Sequence, residues 1–125
     1  MKNFKNILIV SIAILTMSFT ANAQAFENVK TAIKIGSSKE LSVYFDNNIE
    51  ITVEGKTSNY SKAQGEFVVK DFFKKNPAKG FTIIHNGTSE GGLKYAIGTY
   101  KSSSSYRVLI RMKGDKVYNL SFTKD

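Results

Sequence analysis

Site chemistry needs ionisable or nucleophilic side chains brought together, and this chain offers few. Its one histidine, His85, lies in the β-rich run Phe81 to Asn86, in phase with Phe81 and Ile83. Facing an interior, the imidazole could act as a base or orient a ligand, whereas on a wall or surface it would only be hydrogen-bonded. A single histidine without cysteine or a local acidic cluster falls short of the three or four ligands zinc takes, so no metal is expected. The absence of cysteine excludes a disulfide, a thiolate nucleophile and a thioether-linked lipid anchor. No serine occupies a G-x-S-x-G turn and no glycine-rich phosphate loop precedes a helix, so no cofactor is expected either.

Aromatic residues are the second resource. Six tyrosines and nine phenylalanines suit a core in which rings are buried and hydroxyls reach its edge. The sharper reading lets a few line a small-molecule pocket, with Tyr44, Tyr60, His85, Tyr95 and Tyr100 as the candidates. Arg107, Arg111, Lys113 and Lys116 flank the last hairpin as a basic patch, read as solvated edge protection. Asn86-Gly87-Thr88 and Asn119-Leu120-Ser121 match glycosylation acceptors, relevant only in a eukaryotic secretory pathway.

The elements that would position these residues begin after a leader. Lys2 and Lys5 precede an apolar run from Ile7 to about Phe19, and Ala21-Asn22-Ala23 supplies the small residues a signal peptidase needs. Residues 1–23 therefore read as a secretory signal cleaved between Ala23 and Gln24, and 24–125 as one domain. The run is short of the ~20 apolar residues of a spanning helix, so no retained membrane anchor is expected. Losing Lys2 and Lys5 leaves 16 basic against 10 acidic side chains, a formal charge of +6 instead of +8. A modest positive charge on an exported chain suits solubility, or anionic glycans, lipid headgroups and acidic proteins, before nucleic acid.

Phe26, Val29, Ala32 and Ile33 form a helical stripe ended by Gly36, and Ser37 or Ser38 can cap a second helix, Lys39 to Phe45. Asp46-Asn47-Asn48 reads as a turn. Ile49, Ile51 and Val53 then alternate with Glu50, Thr52 and Glu54 in a half-buried strand, and Thr57 to Tyr60 makes a short return. Ser61-Lys62-Ala63-Gln64 has the spacing of a capping box, and Gly65, Val68, Val69, Phe72 and Phe73 give the following helix an apolar face until Asn76-Pro77 stops it. Four strands follow: Phe81 to Asn86, Leu93 to Tyr100, the alternation Tyr106, Val108, Ile110, Met112, and the alternation Tyr118, Leu120, Phe122. Turns fall at Gly91-Gly92 and Gly114-Asp115.

This order resembles the nuclear transport factor 2-like superfamily, the cystatin-like α+β cone. The local likeness is clearest from Tyr44-Phe45-Asp46-Asn47-Asn48 through Ile49-Glu50-Ile51 and from Gly55 to Phe73. The whole resembles small exported Bacteroidetes-type members labelled only as a domain of unknown function. The resemblance implies a curved antiparallel sheet packed on three N-terminal and central helices, with a pocket at the open end. Catalytic relatives place a carboxylate or histidine on the inner wall, paired with tyrosine. Here the matching first strand is apolar on its inner phase, and its acids Glu50 and Glu54 fall on the other. An exported, non-catalytic small-molecule-binding or protein-interaction module of the cell envelope, periplasmic or secreted, is therefore expected, with a small apolar or aromatic ligand. The alternatives are a pocket enzyme of isomerase or dehydratase type using His85 and a tyrosine, and a structural protomer forming a homodimer through the sheet.

The leader gives the first test. The intact mass of the exported protein should begin at Gln24, and full-length chain recovered from a membrane fraction after export would overturn the cleavage.

Overall fold

Apolar stripes on helices and alternation in strands can both be satisfied only where one face of a sheet is covered and the other left open. The computed structural model describes residues 22–125 and has that arrangement. The expected leader lies outside the described residues except for Asn22 and Ala23, which belong to the described part of the first helix, α1, 22–35. Gly36 ends α1 at φ +70°, its N–H donating to Ile33 O while Ser37 N–H donates to Ala32 O, the paired bonds of a left-handed helix stop. The short α2, Ser38–Ser42, is capped by Ser37, whose hydroxyl accepts from Glu40 N–H. The third helix, α3, spans Lys62–Lys75 and has the capping box in full: Gln64 N–H donates to Ser61 Oγ at 3.3 Å, and Ser61 N–H donates to Gln64 Oε1 at 3.2 Å.

Six strands form one sheet: β1 Phe45–Val53, β2 Lys56–Ser61, β3 Gly80–Thr88, β4 Lys94–Lys101, β5 Ser105–Lys113 and β6 Lys116–Lys124. Their spatial order is β2-β1-β6-β5-β4-β3. Every neighbouring pair is antiparallel except β1 and β6, which run parallel, so the last strand returns to the middle of the sheet beside the first. Three helices pack on this curved, unclosed sheet, in agreement with the α+β class expected from the residues.

One face carries the core. Phe45, Ile49 and Ile51 of β1, Ala96 and Tyr100 of β4, Val108, Ile110 and Met112 of β5, and Val117, Leu120 and Phe122 of β6 are buried with Val29, Ala32 and Ile33 of α1 and Val69, Phe72 and Phe73 of α3. Gly65 lets α3 settle on β1: a Cβ there would stand 3.0 Å from Ile49 Cγ2 and 3.3 Å from both Ile51 Cδ1 and Phe45 Cδ2. Of the opposite positions, Arg107, Leu109 and Arg111 stay partly or fully exposed.

Three local expectations change. The second helix stops at Ser42, because Phe45 is already a strand residue paired with Val117, and Val117 N–H donates to Tyr44 O. Asp46-Asn47-Asn48 is no separate turn: five steps along β1, from Phe45 to Glu50, oppose two along β6, from Val117 to Asn119, so the turn-prone residues form a bulge within the strand. Tyr118 does not share the phase of Leu120 and Phe122. Met112 pairs with Val117 but Arg111 with Asn119, and the extra residue puts Val117 in the core in its place.

Phe72 is 2 % exposed and stacked on Phe122 at 4.2 Å between ring centroids, whereas Lys70 is on the solvent side of α3. Phe72→Ala should cost about 3–5 kcal/mol of unfolding free energy. Lys70→Ala should change it by less than about 0.5 kcal/mol in the same denaturation series. Equal losses would contradict this helix phase.

Candidate functional site

The centre of the concave side of the sheet is filled, and what remains open on the helix side includes a cleft of about 300 Å³ between the start of α1, at Phe26 and Glu27, and the β3–β4 end at Asn86, Gly87 and Tyr95. Phe72 meets Tyr106 edge-on at 5.1 Å and lies 5.6 Å from Tyr100, and Phe73 lies 5.8 Å from Tyr100. The polar ends of both tyrosines converge on the residue that closes α3. Tyr100 Oη donates to the Asn76 carbonyl, Tyr106 Oη donates to Asn76 Oδ1 at 2.8 Å, and Asn76 Nδ2 donates back to Phe72 O at 3.1 Å. Pro77 forces Asn76 out of the helical region, to φ −130° and ψ 76°, and so turns its carbonyl away from the helix. Local pattern marks Asn76 only as a helix stop, and its position before proline at the foot of an aromatic helix is the one sequence signal of this junction.

The five pocket candidates do not share a pocket. Tyr100 is a core residue, fully buried. Tyr44 takes a 2.6 Å hydrogen bond from Asn28 Nδ2 at a shallow cleft of about 260 Å³ between α1 and α2. Tyr60 lies on edge strand β2 opposite Ile49, partly buried against the core. His85 and Tyr95 alone meet, with His85 Nε2 3.0 Å from Tyr95 Oη. Their meeting place is not the interior. Ile83 pairs with Gly98 but His85 with Ile97, so an extra residue at Ile84 breaks the phase with Phe81 and Ile83 and sends the imidazole to the open face. Tyr95 reaches it by lying over Gly87, where an added Cβ would stand 2.9 Å from the tyrosine oxygen. Gly87 is thus a strand residue that seats an aromatic ring, and the hairpin turn falls at Glu90–Gly92, over the expected Gly91-Gly92.

The open face is divided. One row across all six strands reads Asn59, Glu50, Asn119, Arg111, Tyr95, Gly87, and the next reads Thr57, Thr52, Ser121, Leu109, Ile97, His85. The half made by β2, β1 and β6 is polar and internally bonded: Asn119 Nδ2 donates to Glu50 Oε1 at 2.8 Å, and Thr52 Oγ1 and Thr57 Oγ1 are 2.7 Å apart. Asn119 is nearly buried with its amide engaged, so it does not suit a glycan acceptor. The half made by β5 and β4 is aromatic, aliphatic and cationic. It holds a cleft of about 440 Å³ lined by Ser89, Lys94, Tyr95, Ile97, Leu109, Arg111 and Tyr118. Arg107 and Arg111 lie on β5, in the interior of the sheet, so edge protection is not their role; β2 and β3 are the edges. Among the described residues the ion pairs are Lys30–Glu27 and Lys75–Asp71, which leaves both arginines and His85 without a carboxylate at ion-pair distance. No cluster of three metal-binding side chains occurs among these residues, and none of their helices is long and apolar enough to cross a membrane.

A three-helix layer on a curved, open six-stranded sheet is the architecture of the cystatin-like and nuclear transport factor 2-like proteins, and the comparisons agree. A family model described as a domain of unknown function, DUF4783, matches residues 26–121, and the chain belongs to that family. A family member of known structure from Bacteroides ovatus is 27% identical, with a TM-score of 0.73 over 78% of this chain and 93% of its own. A putative isomerase from Bacillus subtilis, 15% identical, has a TM-score of 0.64 over 86% of this chain and 88% of its own. A cystatin-fold protein from Novosphingobium aromaticivorans, 12% identical, has a TM-score of 0.62 over 81% and 96%. At such identities the last two show the fold alone. No curated protein matches the chain.

Burial pushes the Tyr100 hydroxyl up to about 12, with the neighbouring Tyr106 adding to the effect. A group whose folded value is raised gives stability that is whole below its unfolded value near 10 and is lost as pH climbs toward 12. The wild-type protein should therefore lose about 2 kcal/mol more than Tyr100→Phe between pH 10 and 12. Parallel pH profiles of the two in chemical denaturation would show that Tyr100 does not hold its proton in the fold.

Proposed function

We propose that this chain is an exported, non-catalytic recognition module of the cell envelope, and that it binds through the open face of its sheet. The carrying observation is the contrast between the two faces. The concave interior is occupied by Phe72, Phe73, Tyr100, Tyr106 and Phe122, with both tyrosine hydroxyls spent on Asn76. The open face offers a cleft that combines apolar walls with a few polar groups, the usual composition of a binding site. The apolar inner phase of β1, with Ile49 and Ile51 buried, supplies no general base. Export rests on the leader pattern of residues 1–23.

A second reading has its own observation. The hydrogen bond between His85 and Tyr95 is the kind of pair an acid–base enzyme uses, although among the described residues no carboxylate lies at ion-pair distance from the imidazole.

Complementation of a deletion strain separates the two. Leu109→Glu places a charge in the cleft and should abolish function at unchanged melting temperature, whereas His85→Ala should leave it largely intact. A general base contributes about 10²–10⁴-fold to rate. Loss with His85→Ala at unchanged stability, together with turnover of a small carbonyl or enol substrate, would establish the enzyme instead. A change at Tyr100 is unsuitable here, because its ring lies in the core and its loss would read as instability.

A further inference from the structure

We infer that the cleft on the open face takes a small carboxylate with a compact apolar body, the acid group at Arg111 and the body between Tyr95, Ile97, Leu109 and Tyr118. The inference rests on the recognition reading above and names the ligand class for the same surface.

Two features show that the walls are placed there by local exceptions to the strand pattern. Tyr118 is the extra residue of a bulge in β6, a central strand, where Val117 and Tyr118 together oppose Met112. Regular alternation would have left Tyr118 on the core face, and the bulge re-aims it into the cleft. Tyr95, the facing aromatic, is seated by the missing side chain of Gly87 and tied by its hydroxyl to His85. Between them Ile97 and Leu109 pair directly across β4 and β5 and give the floor.

The charge at this place has one sign. Arg111 and Lys94 line the cleft, Arg107 stands four residues from Arg111 along β5, and none has a carboxylate at ion-pair distance among the described residues. The acid in the same row, Glu50, is two strands from Arg111, about 10 Å by strand spacing, and is held by Asn119 Nδ2. A planar guanidinium can meet a carboxylate with two parallel hydrogen bonds, whereas Lys94 acts as a point charge. The volume, about 440 Å³, falls in the range of small-molecule sites.

The test titrates the purified protein with 4-phenylbutyrate and with its neutral isostere 4-phenylbutyramide, followed by calorimetry and by backbone amide shifts. The acid should bind, with shifts centred on Ile97, Leu109, Arg111 and Tyr118, and the amide should bind about tenfold more weakly. Arg111→Gln should remove that preference and leave the affinity for the amide unchanged. Gly87→Ala, which displaces the Tyr95 ring, should weaken both ligands. Equal affinity for acid and amide, shifts on another face, or no binding of the acid would overturn the assignment. Its failure is distinct from failure of the recognition reading: loss of function with Leu109→Glu beside no carboxylate binding rejects the ligand class alone, and a silent Leu109→Glu rejects the surface.

Discussion

The junction at Asn76 is the constraint on which the arrangement depends. A curved sheet with helices across its concave side must either keep a central cavity or fill it, and this chain fills the centre with rings whose hydroxyls need partners. A buried hydroxyl left unpaired costs about 1–3 kcal/mol. Asn76 supplies acceptors for two, its carbonyl for Tyr100 and its side-chain oxygen for Tyr106, while its amide nitrogen closes the last turn of α3 on Phe72 O. One residue therefore ends the helix, satisfies strands β4 and β5, and fixes where the Phe72 ring lies. A filled interior follows from that geometry, and recognition is displaced to the other face.

Close backbone approach gives the same junction its depth. Gly65 allows α3 to rest on Ile49 and Ile51, and Gly98 leaves room on β4 for Phe81, whose ring an added Cβ would meet at 2.7 Å. Both glycines lie on the core face, where a methyl group would push a helix or a strand outward. The helix is thus held at two levels, by packing near its start and by hydrogen bonds at its end.

Much of this was legible in the residues. The capping box at Ser61, the stop at Gly36, the apolar phase of Ile49 and Ile51, and the buried face of α3 are all local patterns with one physical solution. Strand phase was legible only as far as the first bulge. Periodicity assumes an unbroken count of two, and at Ile84 and at Tyr118 the ladder inserts one residue, which exchanges the faces of everything beyond it on that strand relative to the neighbour. Regular alternation therefore puts His85 in phase with Phe81 and Ile83, and Tyr118 in phase with Leu120 and Phe122, whereas the ladder turns both to the open face; of the two faces left open for His85 by its sequence, the structure gives the exposed, hydrogen-bonded one. The parallel pairing of β1 with β6 was also beyond local pattern, since it joins residues some 70 positions apart, as in Asn119 with Glu50.

The errors are themselves informative. Tyr118 and His85 are misplaced by regular alternation because each is carried to the open face by an inserted residue, and Tyr95 joins them through a glycine that has no role in the turn. A sheet that needed only a solvated outer surface would not require aromatic rings turned toward it. Bulges commonly re-aim side chains next to functional sites. Here the two shifts in phase, on β3 and β6, flank the strands that carry Ile97, Leu109 and Arg111, so the departures from pattern lie around the cleft in which recognition is proposed.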